Sequence, residues 1–79
     1  MTLRQPVREA LLAHGIEPRE EDDPPALRER LNEAYLVEVR RLKDRQRAGE
    51  IPLREYAAHV DALKHRFDLL GLPLALWVE

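Results

Sequence analysis

The fold is decided by one stretch of the sequence, LREYAAHVDALKHRFDLL at positions 53–70. Its apolar side chains recur at intervals of 3, 4, 3, 4 and 3 residues, at Leu53, Tyr56, Val60, Leu63, Phe67 and Leu70. This spacing is the a/d pattern of a helix that packs along a seam against another helix. It predicts a helix over residues 52–70, with Pro52 in the first turn, where no backbone donor is needed. Gly71 and Pro73 are expected to end it.

A second helix is predicted before this one, over residues 24–47. Asp23 can accept a hydrogen bond from the first turn and is followed by two prolines, which is typical of a helix start. Gly49 supplies the residue after the helix end. One arc of this helix is apolar, formed by Leu27, Leu31, Ala34, Tyr35, Val39 and Leu42. Because only residues 49–52 connect the two helices, they should form an antiparallel hairpin.

Shorter segments flank the hairpin. Residues 6–14 are predicted to form a short helix that stops at Gly15 and must dock on the hairpin to be stable. Residues 16–23 contain a proline and five acidic side chains, so we expect a solvated acidic linker. Residues 72–79 are mostly apolar and are predicted to form an extended arm. The predicted fold is therefore all-α, with residues 1–79 in a single domain.

Length and composition exclude several classes of function. The chain has 79 residues, enough for one small domain, and it contains no cysteine and no serine. Disulfide scaffolds, thiolate metal sites and Ser or Cys nucleophiles are therefore excluded. Its three glycines are isolated from one another, so a glycine-rich phosphate loop is also excluded. We expect no catalytic residue, no cofactor and no metal.

The apolar segments are too short to suggest a membrane or secreted protein. The most apolar segment, residues 69–78, has ten residues, whereas a membrane span needs about 20. Charged residues interrupt residues 1–15, which therefore do not read as a secretory signal. We expect a cytoplasmic protein that does not associate with membranes.

The hairpin corner carries a recognisable order of side chains, Gly49, Ile51, Glu55, Tyr56 and Leu63. This order resembles SHOCT modules, which are short helical hairpins found in many bacterial proteins. The resemblance covers residues 39–70, and Pro52 stands where the family usually has a capping Ser or Thr. It implies a helical hairpin with a role in oligomerisation or tethering.

The chain has more apolar side chains than one hairpin seam can bury. Leu36 lies opposite the apolar arc of the first long helix, and Val37 lies off its edge. The C-terminal arm adds Leu74, Leu76 and Trp77. Exposed apolar patches mark interfaces, so these five residues are the candidate interface. We expect the arm to cover Leu36 and Val37 in its own chain or in a partner, and we favour a homodimer over another protein partner.

One carboxylate falls on the apolar arc. Glu38 projects near the centre of this arc, where an unpaired charge is costly to bury. It could act as a metal ligand, as a general acid or base, or as half of an ion pair. An ion pair or a solvated interface position is favoured, and the natural partners are Lys64 in the second helix and Arg45 in the first.

Basic residues cluster near the end of the first long helix. Arg40, Lys43 and Arg47 lie within an arc of roughly 60°, which could contact phosphate groups. However, Asp44 interrupts the run, the net charge of the chain is −2, and bases are common near any helix C-terminus. A solvated face is therefore the leading interpretation, and nucleic-acid contact is the alternative.

Two acid–histidine pairs have the spacing of helical neighbours. Glu55 and His59 are four residues apart, as are Asp61 and His65, so each pair could hold a metal through two ligands. The two histidines lie on different flanks of one helix, so the pairs cannot combine. We interpret them as surface ion pairs.

The sequence therefore predicts a small non-catalytic module for protein–protein interaction or oligomerisation, which acts by helix packing. The alternative is a small nucleic-acid-associated regulator that uses Arg40, Lys43 and Arg47.

Overall fold

A computed structural model describes residues 2–79 of the chain and contains three α-helices. These are α1 (Gln5–Ala13), α2 (Pro24–Arg47) and α3 (Leu53–Arg66). Two short 3-10 helices follow, Asp68–Gly71 and Leu74–Leu76. Helices α2 and α3 pack against each other, which confirms the predicted all-α class and hairpin.

Local capping sets both ends of α2, which begins and ends at the predicted residues. The Asp23 carboxylate accepts a hydrogen bond from the Ala26 N–H at 2.9 Å, and the two prolines occupy the first two helical positions. At the other end, Gly49 has a φ of 81°, a left-handed conformation that costs glycine little. The N–H groups of Gly49 and Glu50 donate to the carbonyl oxygens of Gln46 and Arg45. This is the Schellman arrangement, and it turns the chain into the hairpin corner.

Helix α3 ends at Arg66, four residues earlier than the predicted limit of 70. Phe67 leaves the helical conformation, with φ −112° and ψ 32°, and a 3-10 helix follows. Phe67 and Leu69 are both buried. Side chains two positions apart point to opposite sides of an α-helix, so a continued helix would not bury both. Gly71 lacks the positive φ of a helix stop, so its predicted capping role is wrong.

Twelve apolar side chains from the described part of the chain form one core cluster, and the apolar arc of α2 faces it. Leu27, Leu31 and Leu42 are buried, and the other members of the arc are partly buried. The seam of α3 differs from the prediction at its start, because Leu53 is 73% exposed. Ile51, which precedes α3, is buried at the hairpin corner in its place.

The C-terminal segment pairs with the start of the chain, and the predicted extended arm is not confirmed. Leu3 and Val78 form an isolated antiparallel bridge, and the Arg4 N–H donates to the Trp77 carbonyl oxygen at 2.9 Å. Trp77 is completely buried, and its indole N–H donates to the Leu72 carbonyl oxygen at 3.1 Å. A buried indole is favourable when its N–H has such a partner. The expectation that this segment covers Leu36 and Val37 within its own chain is therefore wrong.

Helix α1 docks on the hairpin through both its apolar face and its end. Val7 and Leu11 are buried, and the chain reverses at Gly15, whose φ is 75°. The N–H of buried Ile16 then donates to the Leu11 carbonyl oxygen. His14 stacks on Phe67 with ring centroids 4.1 Å apart, and its Nε2–H donates to the Arg66 carbonyl oxygen at 2.7 Å. Sequence patterns gave no sign of this contact between the ends of α1 and α3.

The molecule is elongated, with extents of 45 × 18 × 16 Å. Helix α2 accounts for most of this length, since 24 residues at 1.5 Å each span about 36 Å. Within residues 2–79, none of the helices combines the length and apolar character that a membrane crossing requires.

Candidate functional site

The outer face of α2 carries two of the predicted interface residues. Leu36 and Val37 are each 42% exposed, in the middle of the longest helix. The helical wheel places Leu36 opposite the buried arc, and the exposure agrees with this position. Nothing within residues 2–79 covers them fully.

Charged side chains lie on the same face of α2 as Leu36, with acids on one side of it along the helix and bases on the other. Glu29, Glu33, Arg40 and Lys43 are exposed and fall within roughly 60° of Leu36 around the helix axis. The two acids precede Leu36 in the sequence and the two bases follow it, and a third exposed base, Arg47, lies further along the same side. None of these four takes part in the ion pairs formed among residues 2–79. We call Glu29, Glu33, Leu36, Arg40 and Lys43 the outer strip of α2.

The C-terminal members of the predicted interface lie elsewhere. Trp77 is buried in its own chain, so the expectation that it contacts a partner must be corrected. Its large ring contributes more by filling the core than it could at the surface. Leu74 is partly buried against the same core, and Leu76 is 43% exposed in the second 3-10 helix.

Glu38 lies in a groove between α2 and α3, where it pairs with two arginines. Its Oε1 is 2.9 Å from Arg41 Nη1, and its Oε2 is 3.7 Å from Arg66 Nη2. Lys64 lines a different groove, beside Tyr35 and Phe67. The predicted Glu38–Lys64 pair is therefore wrong, because Lys64 and Arg66 are two residues apart and lie on opposite flanks of α3.

The Glu38 groove is formed where side chains of α2 and α3 meet. It has a volume of about 250 Å³ and is lined by Glu38, Arg41, Leu42, Arg45, His59, Ala62, Leu63 and Arg66. Arg45 pairs with Glu50 at 3.3 Å, so each of the three arginines already has a carboxylate partner. The arginine side chains are more than half exposed, where ion pairs contribute little stability. Sequence reasoning missed Arg41, although its spacing of three residues from Glu38 is a signal for a helical ion pair.

Of the two predicted acid–histidine pairs, only Asp61–His65 forms an ion pair within residues 2–79, whereas Glu55 and His59 are exposed and unpaired with each other. His65 Nε2 is 3.5 Å from Asp61 Oδ2, and both side chains are more than 70% exposed. Within residues 2–79, histidine, aspartate and glutamate side chains do not gather in groups of three that could hold a metal ion.

The predicted nucleic-acid contacts are all accessible. Arg40, Lys43 and Arg47 are exposed on the same side of α2 as Leu36. Arg47 lies seven positions after Arg40, a distance of about 10 Å along the helix. Glu29 and Glu33 extend this side towards the start of the helix, so the surface as a whole is mixed in charge.

No protein-family model, curated protein or solved structure matches this chain. The resemblance to SHOCT modules therefore stays a prediction.

Proposed function

We propose that this protein is a small, non-catalytic interaction module whose working surface is the outer face of α2. The observation that carries the proposal is the exposure of Leu36 and Val37 at the centre of the longest helix. The C-terminal segment, which the sequence led us to expect over them, packs against the start of the chain instead. A partner is then the natural cover for this surface.

The size of the domain supports the same proposal. Small domains bury only about 60% of the surface that their unfolded chains expose, and association with a partner adds to their stability. Among residues 2–79 this core contains twelve buried apolar side chains, spread through an elongated molecule. We also place the module in the cytoplasm, as the short apolar segments of the sequence led us to expect.

Site-specific photo-crosslinking in the cells of origin tests the proposal. A photoreactive amino acid replaces Leu36 in the full chain and, in a matched control, Leu53, which is more exposed but lies at the start of α3. We expect a discrete crosslinked adduct, with this chain or another protein, from position 36 and not from position 53. Equal adducts from both positions, or none from either, would overturn the proposal.

A nucleic-acid-associated regulator is the second candidate. It is favoured by the shared exposure of Arg40, Lys43 and Arg47 on one side of α2. Binding of this kind weakens steeply with salt, because each phosphate contact releases counterions. Fluorescence anisotropy with labelled duplex DNA and single-stranded RNA tests it. Binding at low salt that is lost in Lys43→Glu supports this candidate, and no binding at low salt removes it.

A further inference from the structure

Resting on this proposed function, we propose that the partner is a second copy of the chain. The two copies pack through the outer strip of α2, antiparallel, about a twofold axis beside Leu36. In this arrangement each residue a given number of positions before Leu36 faces the residue the same number after it on the other copy. Such a self-complementary surface is what a twofold dimer requires.

The charges of the outer strip have this symmetry. Glu29 stands seven positions before Leu36 and Lys43 stands seven positions after it. Glu33 stands three positions before Leu36 and Arg40 stands four positions after it, so these two residues face each other to within one residue. Antiparallel packing therefore opposes Glu29 to Lys43 and Glu33 to Arg40 of the second copy, twice each by symmetry. Parallel packing would oppose acid to acid and base to base, which is unfavourable.

The helix macrodipole does not account for this order of charges. Its effect falls off within the first and last turns. Glu33 is the tenth of the 24 residues of α2 and Arg40 is the seventeenth, so both lie well inside the helix. Glu29 and Glu33 are also spaced as helical neighbours, as are Arg40 and Lys43. Neighbouring like charges destabilise an isolated helix, and opposite charges on a partner remove this cost.

The apolar residues lie at the centre of the proposed interface. Protein interfaces have an apolar centre and a polar rim. Leu36 lies at the centre of the strip with Val37 beside it, and the four charges lie on either side along the helix. The strip from Glu29 to Lys43 covers fourteen residue steps, or about 21 Å, and lies wholly within α2. Because one helix face is a small interface, the dimer should dissociate on dilution.

Charge reversal tests the register as well as the association. Sedimentation equilibrium of the full chain over a range of concentrations should show a reversible dimer. Glu29→Lys and Lys43→Glu should each weaken the dimer at least about tenfold, since each opposes like charges across the axis. An equimolar mixture of the two variants should restore association as a heterodimer, and the double variant should restore the homodimer. Glu20→Lys, an exposed charge reversal in the linker, is the matched control and should leave the dimer unchanged.

The measurements distinguish failure of the proposed dimer from failure of the proposed interaction module on which it rests. Circular dichroism first establishes that each variant is folded. If the wild-type chain stays monomeric at all concentrations, the proposal that the partner is a second copy is overturned. A dimer that neither charge reversal weakens also overturns it. If position 36 still crosslinks specifically to another protein, the interaction module stands with a different partner. If position 36 gives no specific adduct, both proposals fail.

Discussion

The first half of α2 contacts the 3-10 helix Asp68–Gly71, where Arg28 donates to the Leu70 carbonyl oxygen, whereas its second half packs against α3, which follows it directly. Leu27 and Leu31 are fully buried, as are Leu11 of α1 and Trp77 of the C-terminal segment. We call these four residues the enclosed end. At the hairpin end, Leu42, Ile51 and Leu63 are buried to a slightly lesser degree beside a groove lined by charged side chains. We therefore expect the enclosed end to contribute more to stability than the hairpin end, although the hairpin is the more regular part of the sequence.

Truncating Trp77 should have the largest effect on stability. Trp77→Ala removes a fully buried ring, and we expect the free energy of unfolding to fall by about 3–5 kcal/mol. Urea denaturation followed by circular dichroism measures the change. Leu76→Ala is the matched control, because this neighbour is 43% exposed, and it should cost less than about 1 kcal/mol.

A second variant keeps this prediction testable if Trp77→Ala does not fold. Trp77→Phe keeps an aromatic ring but loses the hydrogen bond to the Leu72 carbonyl oxygen. We expect a loss of about 1–3 kcal/mol, since the carbonyl oxygen loses its indole donor. If Trp77→Phe and Leu76→Ala cost the same, the enclosed end is not the main source of stability.

Leucine truncations at the two ends of α2 compare them directly. Leu31→Ala at the enclosed end should cost about 3–4 kcal/mol, because this side chain is fully buried. Leu42→Ala at the hairpin end should cost about 2 kcal/mol, because the cavity it leaves can open to the adjacent groove. The same urea titrations measure both values. A larger loss for Leu42 would reverse the comparison.

Sequence patterns predicted the features that depend on neighbouring residues better than those that depend on distant parts of the chain, for a physical reason. The limits of α2 depend on Asp23, its two prolines and Gly49, all of which act on backbone groups a few residues away. The end of α3 depends instead on burying Phe67 and Leu69 together, which is a requirement of the tertiary structure. The pairing of Leu3 with Val78 joins opposite ends of the chain, and no local pattern encodes it.

The residues of the candidate surface also differ in whether local patterns could predict their environment. The exposure of Leu36 and Val37 follows from the helical wheel of α2, so it could be predicted. The burial of Trp77 depends on the terminal pairing and could not. The pairing of Glu38 with Arg66 depends on how α3 is rotated against α2, and the short connection between the helices does not fix this rotation.

Glycine substitutions compare the residue that follows the end of α1, Gly15, with the residue that follows the end of α2, Gly49. Gly15 and Gly49 both have positive φ, and an added Cβ would meet no atom within 4 Å at either position. Replacing either with alanine should therefore cost about 1 kcal/mol through backbone strain alone. Gly15→Ala should cost somewhat more, because the next residue, Ile16, is buried, whereas Glu50 after Gly49 is exposed. Thermal unfolding compares the two variants, and a larger loss for Gly49→Ala would contradict this account.

The smallest effect is expected at Glu38, although its place on the apolar arc suggested a costly buried charge. Its side chain is 33% exposed, and its partners Arg41 and Arg66 are 71% and 62% exposed. Exposed ion pairs contribute about 0.2–1 kcal/mol, so Glu38→Ala should cost less than about 1 kcal/mol. Glu33→Ala, an exposed acid on the same helix that forms no ion pair within residues 2–79, is the matched control.

A double-mutant cycle with Arg66→Ala isolates the part of this effect that joins the two helices. Because the Arg41 pair lies within α2 and the Arg66 pair crosses to α3, only the coupling between Glu38 and Arg66 contributes to the hairpin contact. We expect a coupling of at most about 0.5 kcal/mol that decreases as salt is added, because exposed charges are screened. A coupling above about 2 kcal/mol that does not respond to salt would mean that Glu38 acts as a buried charge. The hairpin end would then depend on electrostatics as strongly as the enclosed end depends on packing.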